Sequence, residues 1–176
     1  MKFFQSFGLL ALLTVAKAAD FQTVRDDIAN ISSLLQQLST DAKQIRPGSL
    51  GIAPALQLEA DSVLVHKLLL STTKDTQASP PFGDHSIDVG GDFLNIQPVI
   101  DGSLKTITDL KGSLQELRVV VLASLYQLKQ DSDILGKEVS SKLSDDFQQV
   151  AKQVLGEIDD SFNNAITAYG GKCEFS

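Results

Sequence analysis

The chain has 176 residues, of which 43% are hydrophobic, and its 15 basic against 22 acidic side chains give a formal net charge of −7. That length and apolar content suit one domain with a sizeable core, and the acidic balance argues against nucleic acid and anionic headgroups as partners. One cysteine, Cys173, excludes an internal disulfide, so packing must hold the fold together.

The chain opens MKFFQSFGLLALLTVAKAAD. Lys2 supplies a positive start, Phe7 to Ala16 an apolar run, and Ala16-Lys17-Ala18 a small-x-small cleavage site, so residues 1–18 read as a signal peptide. A membrane span needs about 20 apolar residues, more than this run holds. A secreted, extracellular protein is expected, with a helical domain over 19–170 and a short tail over 171–176. Losing Lys2 and Lys17 makes the remainder still more acidic.

Five helices follow in chain order. The first starts at an N-cap Asp20 and carries Phe21, Val24, Ile28, Ile31, Leu35, Leu38 and Ala42 at steps of three and four. It stops at Arg46-Pro47-Gly48. The second runs from about Ile52 to Asp75, with one stripe at Ile52, Leu56, Ala60, Val63 and Leu70 and a second at Leu64, Val65, Leu68 and Leu69. Residues 79–92, SPPFGDHSIDVGGD, are dense in Pro, Gly and Asp and read as the longest loop. A third helix holds Ile96, Ile100, Ile107 and Leu110, with Pro98 near its start or kinking it. Ser113 and Glu116 have capping-box spacing for a fourth, whose stretch RVVVLASLYQL (118–128) is apolar all round. The fifth starts at Ser144, carries Phe147, Val150, Val154, Ile158, Phe162, Ala165 and Tyr169, and ends at Gly170-Gly171. No segment alternates with period two. The expected fold is all-α, an up-and-down antiparallel bundle of about five helices, with an internal apolar cavity as one form it can take.

Catalytic and metal signatures are missing. Asp84-His85-Ser86-Ile87-Asp88 has no second His or Cys nearby, whereas structural metal sites need three or four converging ligands. His66, mid-helix between apolar faces, reads as a hydrogen-bonded boundary residue. Acid pairs such as Asp26-Asp27 and Asp145-Asp146 diverge by about 100° on a helix and form no dyad. No enzyme activity, metal or cofactor is expected. Asn30-Ile31-Ser32 is a glycosylation sequon, and Asn30 lies roughly 130° from its helix's apolar stripe, pointing to solvent. The tail Cys173-Glu174-Phe175-Ser176 is a poor prenylation box because Glu174 occupies an aliphatic position. A free thiol and a dimer linked through Cys173 both fit.

The second and fourth helices, apolar on two sides, are the informative feature. Three readings fit: helices sandwiched in a solid core, helices lining a chamber for a lipid chain together with the fifth, or a bundle that spreads over an oily surface. Periodicity does not separate them.

The order of segments adds to this. DFQTVRDDIANISSLLQQLSTD, a Leu-rich second helix, ASPPFGDHSIDV, LNIQPVIDGSLKTITDL and LYQLKQDSDILGKEVSSKLSDDFQQVAKQVLGEIDDSFNNAITAYG together resemble the fungal hydrophobic surface binding protein A family, which includes cell-wall galactomannoproteins. The resemblance covers roughly residues 20–170. It implies a secreted helical bundle, adsorption to hydrophobic surfaces and, in the galactomannoprotein branch, an internal pocket for fatty acids. A ligand-free structural coat protein of the wall or surface is the alternative. Family residues do not transfer one by one, so the cavity-lining candidates rest on helical position: Leu64, Leu68, Val121, Leu125, Leu128, Val154, Ile158 and Phe162. Ser124 and Ser132 are candidate carboxylate contacts, with bonds to their own helix carbonyls as the alternative. Val63 and Leu70 are expected to pack on neighbouring helices. No Ser/Thr-rich stalk follows Tyr169, so covalent wall attachment is not expected, and one domain allows one such pocket.

Overall fold

The computed structural model describes residues 19–45 and 52–173, with side chains from residue 56 onward in the second segment. The expected leader and the Arg46-Pro47-Gly48 stop lie outside the described residues. Five helices appear: α1 (Phe21–Ala42), α2 (Ile52–Ala78), α3 (Ser86–Asp109), α4 (Arg118–Lys142) and α5 (Asp145–Ala168). No strand occurs among the described residues.

The local chemistry accounts for most boundaries. The Asp20 carboxylate accepts the Thr23 N–H at 2.9 Å and caps α1. At the end of α5, Gly171 N–H reaches Ile166 C=O at 2.9 Å and Gly170 N–H reaches Thr167 C=O at 2.8 Å. This Schellman closure places Gly170 at φ +74°, where a side chain would strain the backbone. Two boundaries depart from the sequence reading. Half of the expected 79–92 loop is helical, because α3 begins at Ser86 and buries Val89 and Gly90. Gly90 is not a turn residue: it is buried within α3, where a Cβ would make ordinary contact with Phe147 Cδ1 of α5 at 3.4 Å. Ser113 does not cap α4, since a single 3-10 turn at Gln115–Leu117 intervenes and Leu114 is buried beneath it.

The helices alternate in direction along the chain but do not sit side by side in chain order. α1 packs on α2 and α3, α2 on α4, α4 on α5, and α5 on α3, which closes a five-membered ring. The neighbours α1/α3, α2/α4 and α3/α5 therefore run parallel, with polar bonds at matching heights. Ser39 Oγ lies 3.1 Å from Thr106 Oγ1, His66 Nδ1 lies 2.5 Å from Asp131 Oδ2, and Ser161 Oγ donates to Asp101 Oδ1 at 2.5 Å. In this ring a single apolar stripe on each helix already points at a common axis.

One end is sealed. Val24, Phe82, Val89, Val139, Leu143 and Ala151 are buried there among the starts of α1, α3 and α5 and the ends of α2 and α4. Phe82 N–H donates to Lys142 C=O at 2.9 Å, Lys142 Nζ to Ser79 C=O at 2.7 Å, and Ser144 N–H to Ser86 Oγ at 2.9 Å. His85 stacks on Phe21 with ring centroids 3.6 Å apart, and its Nδ1 lies 3.6 Å from Asp88. No cluster of three potential metal ligands exists among the described residues.

Candidate functional site

The ring axis is hollow. A cavity of about 740 Å³ runs from the middle of the bundle to the end opposite the seal. Its depth is set by side chains that each helix's stripe sends inward: Ile31 and Leu35 from α1, Val65 and Leu69 from α2, Phe93 and Ile100 from α3, Leu125 and Leu135 from α4, Ile158 and Phe162 from α5. Its mouth is built by Ile45, Leu56, the 112–117 segment and Val120. Along α4 the wall extends from Val120 to Leu135, about 22 Å at 1.5 Å per residue. Those dimensions fall within the size range of small-molecule sites, and the wall is mainly Leu, Ile, Val and Phe.

Of the lining candidates, Val121, Leu125, Leu128, Ile158 and Phe162 lie on the cavity wall, as do Ser124 and Ser132. Leu64, Leu68 and Val154 do not. Leu64 is 48% exposed on the outer side of α2, Leu68 packs half-buried against the core, and Val154 is buried in packing away from the cavity. Within the second apolar face of α2, the buried members Val65 and Leu69 are the ones that reach the interior. Val63 and Leu70 are partly exposed instead of covered by neighbouring helices. The chamber also draws on α1 and α3, which the sequence reading left out. Their single regular stripes look like ordinary packed faces, and only the ring closure turns them toward a cavity.

Polar groups are sparse and concentrated near the mouth. Ser124 Oγ donates to Glu59 Oε2 at 3.0 Å across the α2/α4 seam, and Ser62 Oγ donates to Glu59 C=O at 2.9 Å. Ser124 thus bonds a carboxylate, one belonging to its own chain. Ser103 Oγ donates to Leu35 C=O at 3.0 Å and ties α3 to α1. Glu59 and Glu116 are the charged side chains among the described residues of the wall, and no described lining residue is Lys, Arg or His. Apart from the Ser124–Glu59 pair, the polar groups of the described wall are scattered serines, Gln115 and Glu116, and no described group of three residues could hold a metal. Its chemistry is burial of apolar surface.

The remaining singled-out residues lie elsewhere. Asn30 is exposed on α1. Cys173 Sγ sits half-buried against α5, 3.5 Å from Asn163 C=O.

A family model described as hydrophobic surface binding protein A matches residues 21–141. Comparison with curated protein sequences gives no match. Among solved structures, AFMP4P in complex with palmitic acid superposes with a TM-score of 0.80 at 21% identity, covering 84% of this chain and 98% of that one. Ligand binding domain 1 of the Penicillium marneffei MP1 protein, complexed with arachidonic acids, gives 0.76 at 20% identity over 82% and 95% of the two chains. Ligand binding domain 2 of the same protein, complexed with multiple arachidonic acids, gives 0.75 at 21% over 86% and 95%. At these identities the likeness establishes a shared fold.

Proposed function

The chain belongs to the hydrophobic surface binding protein A family, and from that premise we propose that its hollow core binds the acyl chain of a fatty acid or similar lipid. The observation that carries the proposal is the 740 Å³ apolar cavity with a mouth at the surface. Each methylene moved from water into it contributes about 0.8 kcal/mol, so a long chain needs no strong polar contact to bind after ordering costs. Val121, Leu125, Leu128, Ile158 and Phe162 would touch the chain. The palmitic and arachidonic acid complexes of the superposable proteins support the same reading. The protein acts by binding and not as an enzyme.

Adsorption to hydrophobic surfaces has its own support. Leu56, Val63 and Leu70 are exposed at seven-residue spacing, one stripe along the outside of α2, and Val119 beside the mouth is 80% exposed. Extracellular placement, with wall association, is part of the proposal and rests on Lys2 and the apolar run from Phe7 to Ala16. A glycan on exposed Asn30 would project away from the ring. A disulfide-linked pair forms no part of this reading, because the Cys173 thiol is engaged with α5.

Native mass spectrometry tests the cavity. Delipidated protein mixed with palmitic acid should show one or more bound acids retained in the intact complex. A chain that takes up none, while still depleting onto hydrophobic beads beyond an acidic control protein, would instead be the ligand-free coat protein.

A further inference from the structure

The cavity wall and the outer surface meet at the mouth. We propose that this end of the ring docks on a zwitterionic lipid surface, from which the acyl chain enters the cavity without crossing water. The proposal rests on the acyl-chain reading above. It goes beyond adsorption along the side of α2 by assigning one end of the ring and an orientation.

Leu56, Leu117 and Val120 line the cavity and are also exposed, Leu56 by 64%. Val119, in the first turn of α4, is 80% exposed and does not line the cavity. Buried Leu114 anchors the segment that carries them, its C=O accepting Leu117 N–H at 3.0 Å. Apolar surface is thus continuous from the outside of the rim to the interior, and a lipid phase that covers it removes it from water. Charge is placed to match. At the sealed end Asp20, Asp84, Asp88, Asp145 and Asp146 are exposed. At the mouth end exposed Lys43, Lys111 and Arg118 stand with Glu116, and Lys105 pairs with Asp109 at 2.7 Å. Among the described residues, the sealed end is therefore acidic and the mouth end nearly balanced. The two ends are separated by the length of α3, 24 residues or about 36 Å. Screening at physiological salt acts over about 8 Å, so a surface at the mouth does not feel the acids of the sealed end. A balanced end gains little from anionic heads and enters a zwitterionic surface by its apolar rim.

Vesicle binding and lipid transfer test the assignment. Wild-type protein, Val119→Asp, Leu70→Asp and Ile87→Asp, each with wild-type circular dichroism, would be sedimented at physiological salt with phosphatidylcholine vesicles, with and without added phosphatidylglycerol. Wild type should partition onto both, with affinities within about threefold of each other. Val119→Asp should lower partitioning about tenfold, because a charge replaces an apolar side chain that enters the interface. Leu70→Asp on the side of α2 and Ile87→Asp at the sealed end should stay within about twofold of wild type. Since Val119 does not line the cavity, Val119→Asp should still take up palmitic acid from solution in native mass spectrometry. Wild type loaded with a fluorescent fatty acid should pass it to phosphatidylcholine vesicles at a rate that rises with vesicle concentration, and Val119→Asp at a lower rate that does not. Wild type that sediments with neither vesicle, Val119→Asp that binds like wild type, or a larger loss in Leu70→Asp or Ile87→Asp would overturn the docking face. Partitioning confined to vesicles with phosphatidylglycerol would overturn the zwitterionic surface. Wild type that sediments but takes up no acid would overturn the acyl-chain reading instead, and the loading role with it.

Discussion

Asp27 on α1 and Asp61 on α2 each bury an Oδ2 atom that has no hydrogen-bond partner. Burial, then the neighbouring charge of Asp75, raises the Asp27 pKa. Burial also raises that of Asp61, against the Gln57 bond that lowers it and with Asp41 adding to the rise. The folded protein therefore holds protons on these groups at pH values where the unfolded chain has released them. Stability must fall as pH climbs from the ordinary aspartate range through the raised values, and the loss is complete above them. Urea midpoints should be higher at mildly acidic pH than at pH 7 until other carboxylates begin to protonate. Asp27→Asn and Asp61→Asn should each stabilise at pH 7 by about 1 kcal/mol and flatten the pH dependence. Unchanged midpoints in both variants would contradict this. Asp131 is the opposite case: 3% exposed, yet satisfied by His66 Nδ1 at 2.5 Å and by Gln127 Nε2 at 3.0 Å. His66→Leu removes one partner from a buried carboxylate and should cost about 1–3 kcal/mol in chemical denaturation.

At the scale of the elements, α3 carries a proline in its interior. Pro98 sits inside it, so the Leu94 carbonyl one turn back lacks its helical donor. Pro98 and Leu94 both face solvent, where water can satisfy that carbonyl. Pro98→Ala should raise stability by roughly 1–3 kcal/mol, read as a higher thermal midpoint. Helices were the most legible part of the sequence, because stripes such as Val24, Ile28, Ile31, Leu35 and Leu38 repeat over many turns and end at defined caps. Residues 86–92 were not, since Gly90-Gly91 imitates a loop. The stripe Val89, Phe93, Ile96, Ile100 continues through that segment at helical spacing, a signal that could have extended α3 backward. The second apolar faces of α2 and α4 misled in the other direction. Leu64 and Val119 lie on the outside of the ring, so two-sidedness there marks surface as well as core.

At the scale of the molecule, the ring order α1, α2, α4, α5, α3 decides what the protein can do. A solid bundle would pack these stripes against one another, whereas a five-membered ring holds them apart around a space. Helix periodicity records which face of each helix is apolar but not which helix lies opposite. The five candidates that do line the cavity were therefore readable from α4 and α5, while the contributions of α1 and α3 required the ring. A ligand bound only by the folded ring adds to its stability by mass action. Palmitic acid at 100 times its dissociation constant should stabilise the fold by about 2.7 kcal/mol, seen as a concentration-dependent rise in thermal midpoint.

The central claim, that an acyl chain lies inside the ring, can be read from a single fluorophore. The chain contains no tryptophan, and Phe162 is a buried aromatic on the cavity wall. Phe162→Trp places the sole indole there with a modest increase in volume, and a second variant, Ile87→Trp, places one on the exposed surface at the sealed end, away from the mouth. Titration with a fatty acid brominated along its chain should quench the Phe162→Trp variant saturably at stoichiometric concentration. The Ile87→Trp variant should keep nearly all of its fluorescence. Quenching of the Ile87→Trp variant alone, or of neither, with both variants folded, would contradict a ligand in the core.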